Sequence, residues 1–177
     1  NNYMDCSPTT MINNNSKFHT SKNKWTIYSH LPHDTDWSLK SYENITQITY
    51  IEELISILDI IPDTMIKNCM LFIMKDDITP LWEDEKNRHG GCFSYKIPNK
   101  NVFRVWKLAS FSLVGETLSF NEVMSTHVNG ITISPKKSFC IIKIWMDSCE
   151  YQNTDKINSK NGLIPHGCIF KKHKPEY

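Results

Sequence analysis

The sequence lacks the features that mark several large classes of protein. No apolar stretch in its 177 residues approaches the roughly 20 residues of a membrane-spanning helix, and no signal peptide is recognisable. The six cysteines form no C-x-x-C pair, and no two histidines have zinc-site spacing. We therefore expect a soluble, cytoplasmic protein with reduced cysteines, no structural metal and no cofactor.

A marked excess of charge of either sign is also missing. Lys and Arg number 20 against 19 Asp and Glu, which gives a net charge of +1. A chain with so little excess charge does not bind nucleic acid through its overall field, so any RNA binding is expected at a local site. The aromatic content of 11% is somewhat high, and aromatic side chains that face solvent can stack on bases.

Signatures of the common enzymes are absent as well. The chain contains no P-loop, no G-x-S-x-G motif and no Cys–His signature. The acidic run Glu83-Asp84-Glu85 leaves one enzymatic alternative open, a metal-dependent nucleotide or cap hydrolase, because carboxylates bind divalent ions. No second acidic or histidine cluster supports that alternative, so we expect a binding protein and not an enzyme.

The length fits one domain with one core. Residues 1–22 are polar and predict a flexible tail ahead of a domain at 23–177. Apolar residues at helical spacing predict helices at 51–59 and 102–114, and a further short helix is predicted at 153–160. Strands are predicted at 24–30, 45–50, 69–75, 92–96, 131–134, 138–146 and 168–172. Helices that fall singly among strands indicate an α+β fold, an antiparallel sheet with helices on one face.

The predicted strand at 138–146 has two different faces, because successive side chains of a strand point to opposite sides. One face is apolar and suited to packing under helices. It consists of Cys140, Ile142 and Ile144. The other face places a cation beside a tryptophan on the side that is open to solvent. It consists of Ile141, Lys143 and Trp145.

Four motifs centred on tryptophans follow one another along the chain. They are K-W at 24–25 with Trp37 twelve residues later; P-L-W-E-D-E-K-N at 80–87 with Gly90-Gly91; Trp106 with Gly115-Glu116; and Asn129-Gly130 with Trp145. In order and spacing these motifs are very similar to those of the eukaryotic translation initiation factor 4E family. The resemblance covers roughly residues 24–145, and more weakly the segment up to residue 173.

The resemblance implies a curved antiparallel sheet of about 6–8 strands, with helices on its convex back and a cap-binding slot on its concave side. In this family, tryptophans from two loops sandwich the 7-methylguanine base of the mRNA cap, and by motif these are Trp37 and Trp82. Glu83 is implied to accept hydrogen bonds from the guanine edge, and Trp145 to contact the N7-methyl group. His173 is implied to lie at the entrance of the slot. Trp25 and Trp106 are expected in the core.

The resemblance also implies basic residues that bind the triphosphate bridge of the cap. Lys136 matches a position where the family usually has arginine, and Lys137 adjoins it. A second basic position is Ile141 here, and Lys143, on the same strand face, is the candidate substitute. Cys92 replaces a supporting arginine, so the phosphate contacts of this chain are predicted to differ from those of its relatives.

The convex back departs further from the family pattern. A surface tryptophan that docks the Tyr-x-x-x-x-Leu-φ helix of scaffold factor 4G and of repressor proteins corresponds to Ile55. A Leu-Glu pair is replaced by Lys107-Leu108, and Thr20 follows His19 where the family has His-Pro. The altered partner-binding surface is predicted to comprise His19, Ile51, Ile55, Lys107, Leu108 and Phe111.

The expected function is to bind capped mRNA, including 7-methyl-GTP and cap dinucleotides, and to recruit it for translation initiation. The expected partner is a scaffold of the 4G type or a dedicated divergent protein, and the chain itself is expected to be a monomer. The changes on the convex back leave a second function open, a cap-binding repressor or competitor that does not bind the scaffold. A bias to Asn, Ile and Lys hints at AT-rich coding, as in protists and large DNA viruses, in which case the host cytoplasm is the expected location.

Overall fold

The computed structural model describes residues 18–176. Its strands are β1 (Thr20–His30), β2 (Glu43–Tyr50), β3 (Met70–Lys75), β4 (Gly91–Pro98), β5 (Val128–Pro135), β6 (Phe139–Met146) and β7 (Ile169–Lys172). Its helices are α1 (Ile51–Ile60), α2 (Asp63–Asn68), α3 (Val102–Val114) and α4 (Glu122–Thr126). The strands form one antiparallel sheet in the order β2-β1-β3-β5-β6-β4-β7, which confirms the predicted α+β fold.

Two expectations about the chain's organisation need correction. The flexible tail was predicted to reach residue 22, but β1 begins at Thr20; residues 1–17 of that tail lie outside the described range. The helix predicted at 153–160 is replaced by two 3-10 turns, Thr154–Lys156 and Ser159–Asn161. The side chains of Asn153 and Asn158 each cap one of these turns, and Ile157 between them is extended and bridges to Ser119. A continuous helix is therefore interrupted at its centre.

One face of the sheet packs against the helices and forms the main core. Trp25 and Trp106, which were predicted to be core residues, are each 1% exposed and belong to it. The core also contains Phe93 and Tyr95 of β4 and the apolar face of β6. The burial of these large side chains is the principal favourable term for folding.

The opposite face of the sheet carries a second, smaller apolar cluster. Phe72, Met74, Ile78 and Trp145 form its buried centre, and Tyr28, Tyr42 and Met70 pack around it. The predicted alternation along β6 is thereby confirmed, since Cys140, Ile142 and Ile144 belong to the main core while Trp145 belongs to the second cluster. This second cluster, called here the concave cluster, is the floor on which the candidate site is built.

The described residues contain no helix long and apolar enough to cross a membrane. The five cysteines within residues 18–176 are free thiols: Cys69, Cys92, Cys140, Cys149 and Cys168. The sixth cysteine, Cys6, lies outside the described range. The fold is thus held together by packing and hydrogen bonds, with no disulfide among the cysteines that the structure describes.

Two adjacent positions of α1 test how the helix packs on the sheet. Leu54 is fully buried in the main core, whereas Ile55 is 42% exposed. We expect Leu54→Ala to lower the free energy of unfolding by about 2–5 kcal/mol, because it leaves a cavity in the core. Ile55→Ala, which removes the same kind of apolar contact at an exposed position, should cost less than about 1 kcal/mol. Urea unfolding of both variants measures the difference, and equal losses would contradict this packing.

Candidate functional site

A cavity of about 510 Å³ opens over the concave cluster. Phe72, Thr132 and Trp145 of the sheet lie in its lining, and the loops after β1 and after β3 contribute most of the rest. Six of the seven side chains predicted to contact the base or the phosphates line this cavity: Trp37, Trp82, Glu83, Lys136, Lys143 and Trp145. Lys137, the next exposed residue in the same turn between β5 and β6, does not line it.

Trp37 is half-exposed and stacks on a buried histidine. The rings of Trp37 and His30 are nearly parallel, at 5°, with their centroids 4.1 Å apart. His30 Nε2 lies 2.8 Å from the carbonyl oxygen of Asp36 and 3.1 Å from Ser41 Oγ, which fixes the imidazole in place. Because a carbonyl oxygen only accepts, Nε2 carries the proton. One face of the Trp37 indole is thus covered by His30, and the half-exposed ring lines the cavity.

Trp82 has a similar arrangement on the other side of the cavity. Its ring is 40% exposed and lies at 14° to the ring of His173, with 6.0 Å between centroids. His173 is only 7% exposed, and its Nδ1 lies 2.8 Å from the carbonyl oxygen of Asn87. His173 was predicted to lie at the entrance; the structure instead buries it behind Trp82 and 5.0 Å from the ring of Trp145.

A buried asparagine holds the loop that carries Trp82. Asn87 is fully buried, and its amide nitrogen donates to the carbonyl oxygens of Thr79 and Leu81 at 2.9 and 2.8 Å. Its side-chain oxygen accepts a hydrogen bond from Asn129 at the start of β5, at 2.9 Å. The loop is therefore tied both to itself and to the sheet. Asn87 and Asn129 both lie in the sequence motifs, but nothing in the pattern assigned them a role.

The acidic run at 83–85 is divided between different tasks. Asp84 Oδ2 accepts hydrogen bonds from the backbone N–H and the hydroxyl of Thr79, both at 2.8 Å, and Oδ1 accepts from the N–H of Lys86. Asp84 is thus used to shape the loop. Within residues 18–176 no group of three or more acidic, histidine or cysteine side chains is arranged to hold a metal ion.

Glu83 faces the cavity and already has a hydrogen-bond donor. The backbone N–H of Glu176 donates to Glu83 Oε1 at 3.1 Å, and Glu176 itself lines the cavity. The charge of Glu83 is also felt by Tyr42 at the cavity wall, whose pKa is raised to about 12, chiefly by burial and further by Glu83. Sequence reasoning missed Glu176, because no motif near residue 176 links it to residue 83.

Trp145 forms part of the floor and is only 5% exposed. Its Nε1 donates to Thr132 Oγ1 at 3.4 Å, and its ring meets Phe72 edge-on at 6.3 Å.

Lys143 lines the cavity two residues before Trp145, on the same face of β6. Neither Lys136 nor Lys143 forms an ion pair with a carboxylate in the part of the chain that the structure describes. Their charges are therefore not neutralised there and can attract an anion.

The predicted partner-binding residues lie just ahead of β1 and on α1 and α3. His19 Nδ1 lies 2.6 Å from Glu52 Oε1, and Lys107 Nζ donates to Asp59 Oδ1 at 2.8 Å, which ties α3 to α1. Ile55 of α1 is 42% exposed. The remaining three, Ile51, Leu108 and Phe111, are half-buried.

The buried histidine behind Trp82 makes stability depend on pH. Burial lowers the pKa of His173 below its ordinary value of 6.5, and the charge of Lys143 lowers it further, against the hydrogen bond to Asn87. Below about pH 6.5 the unfolded chain binds a proton that the folded chain does not, so stability falls as the pH falls towards the lowered pKa. We expect the free energy of unfolding of the wild type to decline more steeply there than that of His173→Phe.

Urea unfolding at a series of pH values measures this slope. His166→Phe is the matched control, because it makes the same substitution at an exposed histidine. Parallel pH profiles for wild type and His173→Phe would show that His173 does not titrate differently on folding.

Comparison with known proteins places these features in one family. The family model for eukaryotic initiation factor 4E matches residues 20–166. The chain is 29% identical to translation initiation factor 4E of Eremothecium gossypii over 150 residues, 80% of this chain and 69% of that protein. It is 26% identical to the factor 4E homolog of Acanthamoeba polyphaga mimivirus over 133 residues, 63% of this chain and 49% of that protein.

Solved structures agree in fold. A complex of C. elegans eIF4E-3 with the 4E-binding protein Mextli and a cap analog has a TM-score of 0.73 at 18% identity, covering 90% of this chain and 98% of that one. Schistosome eIF4E complexed with m7GpppG and 4E-BP has a TM-score of 0.68 at 21% identity, covering 76% and 75%. With the family model matched over most of its length, this chain belongs to the eukaryotic initiation factor 4E family.

Proposed function

We propose that this chain binds the 7-methylguanosine cap of mRNA in the cavity and delivers capped mRNA to translation initiation. The observation that carries the proposal is that two partly exposed tryptophans, Trp37 and Trp82, line one cavity together with the carboxylate of Glu83. The structures of family members complexed with m7GpppG and with cap analogs support it. Trp37 and Trp82 sandwich the base, each held from behind by a histidine.

Methylation at N7 gives the guanine ring a positive charge, and this charge explains the choice of residues. Indole faces attract cations through their quadrupole, so two of them favour the methylated base over plain guanine. Stacking contributes about 1–3 kcal/mol per base. Trp145 lies in the floor of the cavity and contacts the methyl group from within the sheet, where its burial fixes its position.

Glu83 selects guanine among the bases. The N1–H and the N2 amino group of guanine are two donors side by side, and a carboxylate accepts both. Hydrogen bonds to a charged group are worth on the order of 1.5–3 kcal/mol. The positive charge of the methylated base strengthens this pair, so that Glu83 and the tryptophans favour the same ligand.

Lys136 and Lys143 bind the phosphates of the cap. Both line the cavity and neither is paired with a carboxylate among the described residues. Lys137, which was predicted beside them, lies outside the cavity lining and is not part of this proposal. The family's supporting arginine is Cys92 here, a buried uncharged thiol, so the phosphates are held by lysines.

The partner side of the proposal concerns α1 and α3. Family structures contain the 4E-binding protein Mextli and 4E-BP, which supports a partner of the scaffold or repressor type for this chain. Ile55 is an exposed apolar residue of α1, and the Lys107–Asp59 ion pair between α3 and α1 adds charge to this surface. We infer a partner with a changed motif. A competitor that binds caps without a scaffold is the second candidate, favoured by the isoleucine at position 55 where the family has tryptophan.

The chain acts as a binding protein and not as a hydrolase in this proposal. Asp84 is committed to its own loop, which removes the central carboxylate of the acidic run from metal binding. Turnover of a cap analogue that depends on a divalent metal would contradict this view. A role in translation initiation places the protein in the cytoplasm. If the source is a large DNA virus, as it is for the mimivirus relative, the location is the cytoplasm of the host.

Tryptophan fluorescence titration with 7-methyl-GTP and with GTP tests the cap site. We expect the methylated ligand to bind at least about ten times more tightly, because only the methylated ring is a cation. Trp37→Ala and Trp82→Ala should each weaken its binding about tenfold or more. Glu83→Gln should weaken both ligands, because it replaces one of the two acceptor oxygens that guanine uses by an amide donor and removes the negative charge. Phe120→Ala, an exposed aromatic outside the cavity, is the control and should change neither affinity. Equal binding of the two ligands would refute the proposal.

Calorimetry with a Tyr-x-x-x-x-Leu-φ peptide tests the partner surface. We expect the wild type to bind it weakly and Ile55→Trp to bind it at least about tenfold more tightly, because the indole restores a large apolar contact on α1. Phe120→Trp adds an indole elsewhere on the surface and should not help. Tight binding by the wild type would show that the changed positions do not alter partner choice.

A further inference from the structure

A pair of lysines lies on the concave face where β6, β4 and β7 run side by side. Cys92 of β4 pairs with Trp145 of β6 on one side and with Lys171 of β7 on the other. Two residues along β4, Ser94 pairs with Lys143 of β6. The strand pairing therefore places Trp145, Cys92 and Lys171 in one row, which runs from the cavity across β4 to the edge of the sheet.

The contacts of the neighbouring residues show that Lys171 belongs to this face. Phe93 of β4 lies in the main core and meets Phe170 of β7 edge-on at 5.0 Å. Because side chains alternate along a strand, the residues next to Phe170 point to the opposite side, which is the face of the cavity. Ile169 and Lys171 are those residues, whereas Lys172 stands two positions after Phe170 and shares its side of the strand, away from the cavity.

Lys143 and Lys171 lie at different distances from the cavity. Lys143 lines it, whereas Lys171 lies on the second strand beyond β6 and outside the lining. Neighbouring strands are about 4.8 Å apart, so the two backbones are separated by about 10 Å. Neither lysine forms an ion pair in the described part of the chain. Two lysines without a carboxylate partner among the described residues thus lie one after the other between the cavity and the open edge of the sheet.

Cys92, which lies on β4 between Lys143 and Lys171, does not bind phosphate itself. Cys92 is 5% exposed, and burial raises the pKa of its thiol, although the charges of Lys143 and Lys171 act in the opposite direction. Both ammonium groups therefore lie close enough to Cys92 for their charges to reach it. Cys92 provides no positive charge on β4, but Lys143 of β6 and Lys171 of β7 provide one on each neighbouring strand.

We propose that the RNA backbone that follows the cap crosses β4 towards β7, and that Lys171 binds one of its phosphates. This inference rests on the proposed cap site, which puts the triphosphate at Lys136 and Lys143. A phosphate chain leaving Lys143 along the face meets Lys171 next. Ile169, 55% exposed on the same face, adds an apolar contact for a sugar or base beside that phosphate.

The length of the ligand tests the inference. A ligand that ends at the triphosphate, 7-methyl-GTP, reaches Lys143 but not Lys171, whereas a capped RNA of about ten nucleotides, at roughly 3.4 Å or more per nucleotide, is long enough to extend across β4 to β7. We expect Lys171→Gln to weaken binding of the capped RNA several-fold and to leave 7-methyl-GTP unchanged. The slope of log K against log salt for the capped RNA should fall by about 0.7, the value for one lost phosphate contact on a single strand.

Lys172→Gln is the matched control, because it removes the same charge from the next residue on the other side of the strand. It should leave the RNA affinity and the salt slope close to those of the wild type. Equal effects of the two variants would overturn the inference in favour of a general charge effect, and a loss of 7-methyl-GTP binding in Lys171→Gln would overturn it by placing Lys171 in the cavity. If the wild type binds neither ligand, the proposed function fails and this inference fails with it; if it binds 7-methyl-GTP and Lys171→Gln keeps the wild-type salt slope, only this inference fails.

Discussion

The buried amide of Asn87 is the interaction on which the candidate site depends. A polar group without partners would be costly at this depth, and Asn87 avoids the cost by bonding to Thr79, Leu81 and Asn129. Its backbone carbonyl oxygen in turn holds His173, which supports Trp82. The position of a loop tryptophan is thus set by hydrogen bonds that are shielded from water, and the loop needs no regular secondary structure to stay in place.

The sheet serves two purposes because its side chains alternate. β6 gives Ile142 and Ile144 to the main core and Lys143 and Trp145 to the cavity. Opposite Trp145 stands Gly130, where a Cβ would collide with the carbonyl oxygen of Ile73. β3 and β5 approach so closely there that only glycine fits. Stability and binding are therefore encoded in the same strands, on opposite faces.

The parts of this architecture that repeat along the chain were predictable, and the parts that join distant segments were not. The helix at Val102–Val114 has its predicted bounds, because its apolar spacing continues over several turns. The helices α2 and α4 were missed, since six and five residues are too few to show a period. Trp37 and Trp82 were assigned to the cavity from motifs, but the stacking of His30 and His173 behind them was not predicted. His173 was expected at the entrance instead, because its contact with Asn87 spans 86 residues of sequence and leaves no local pattern.

The contact between Glu176 and Glu83 has a consequence for ligand affinity in the proposed cap site. In the proposed cap site, a guanine that bonds to both carboxylate oxygens of Glu83 exchanges places with the backbone N–H of Glu176 at Oε1, so the chain carries its own competitor at a fixed effective concentration that dilution does not change. This exchange lowers the apparent affinity for every guanine nucleotide by the same factor. The ratio between methylated and unmethylated ligands is untouched by it. Discrimination in the proposed site therefore comes from the charge of the methylated base, which acts on the aromatic rings and on Glu83, while the backbone N–H of Glu176 affects only how much ligand is needed to occupy the site.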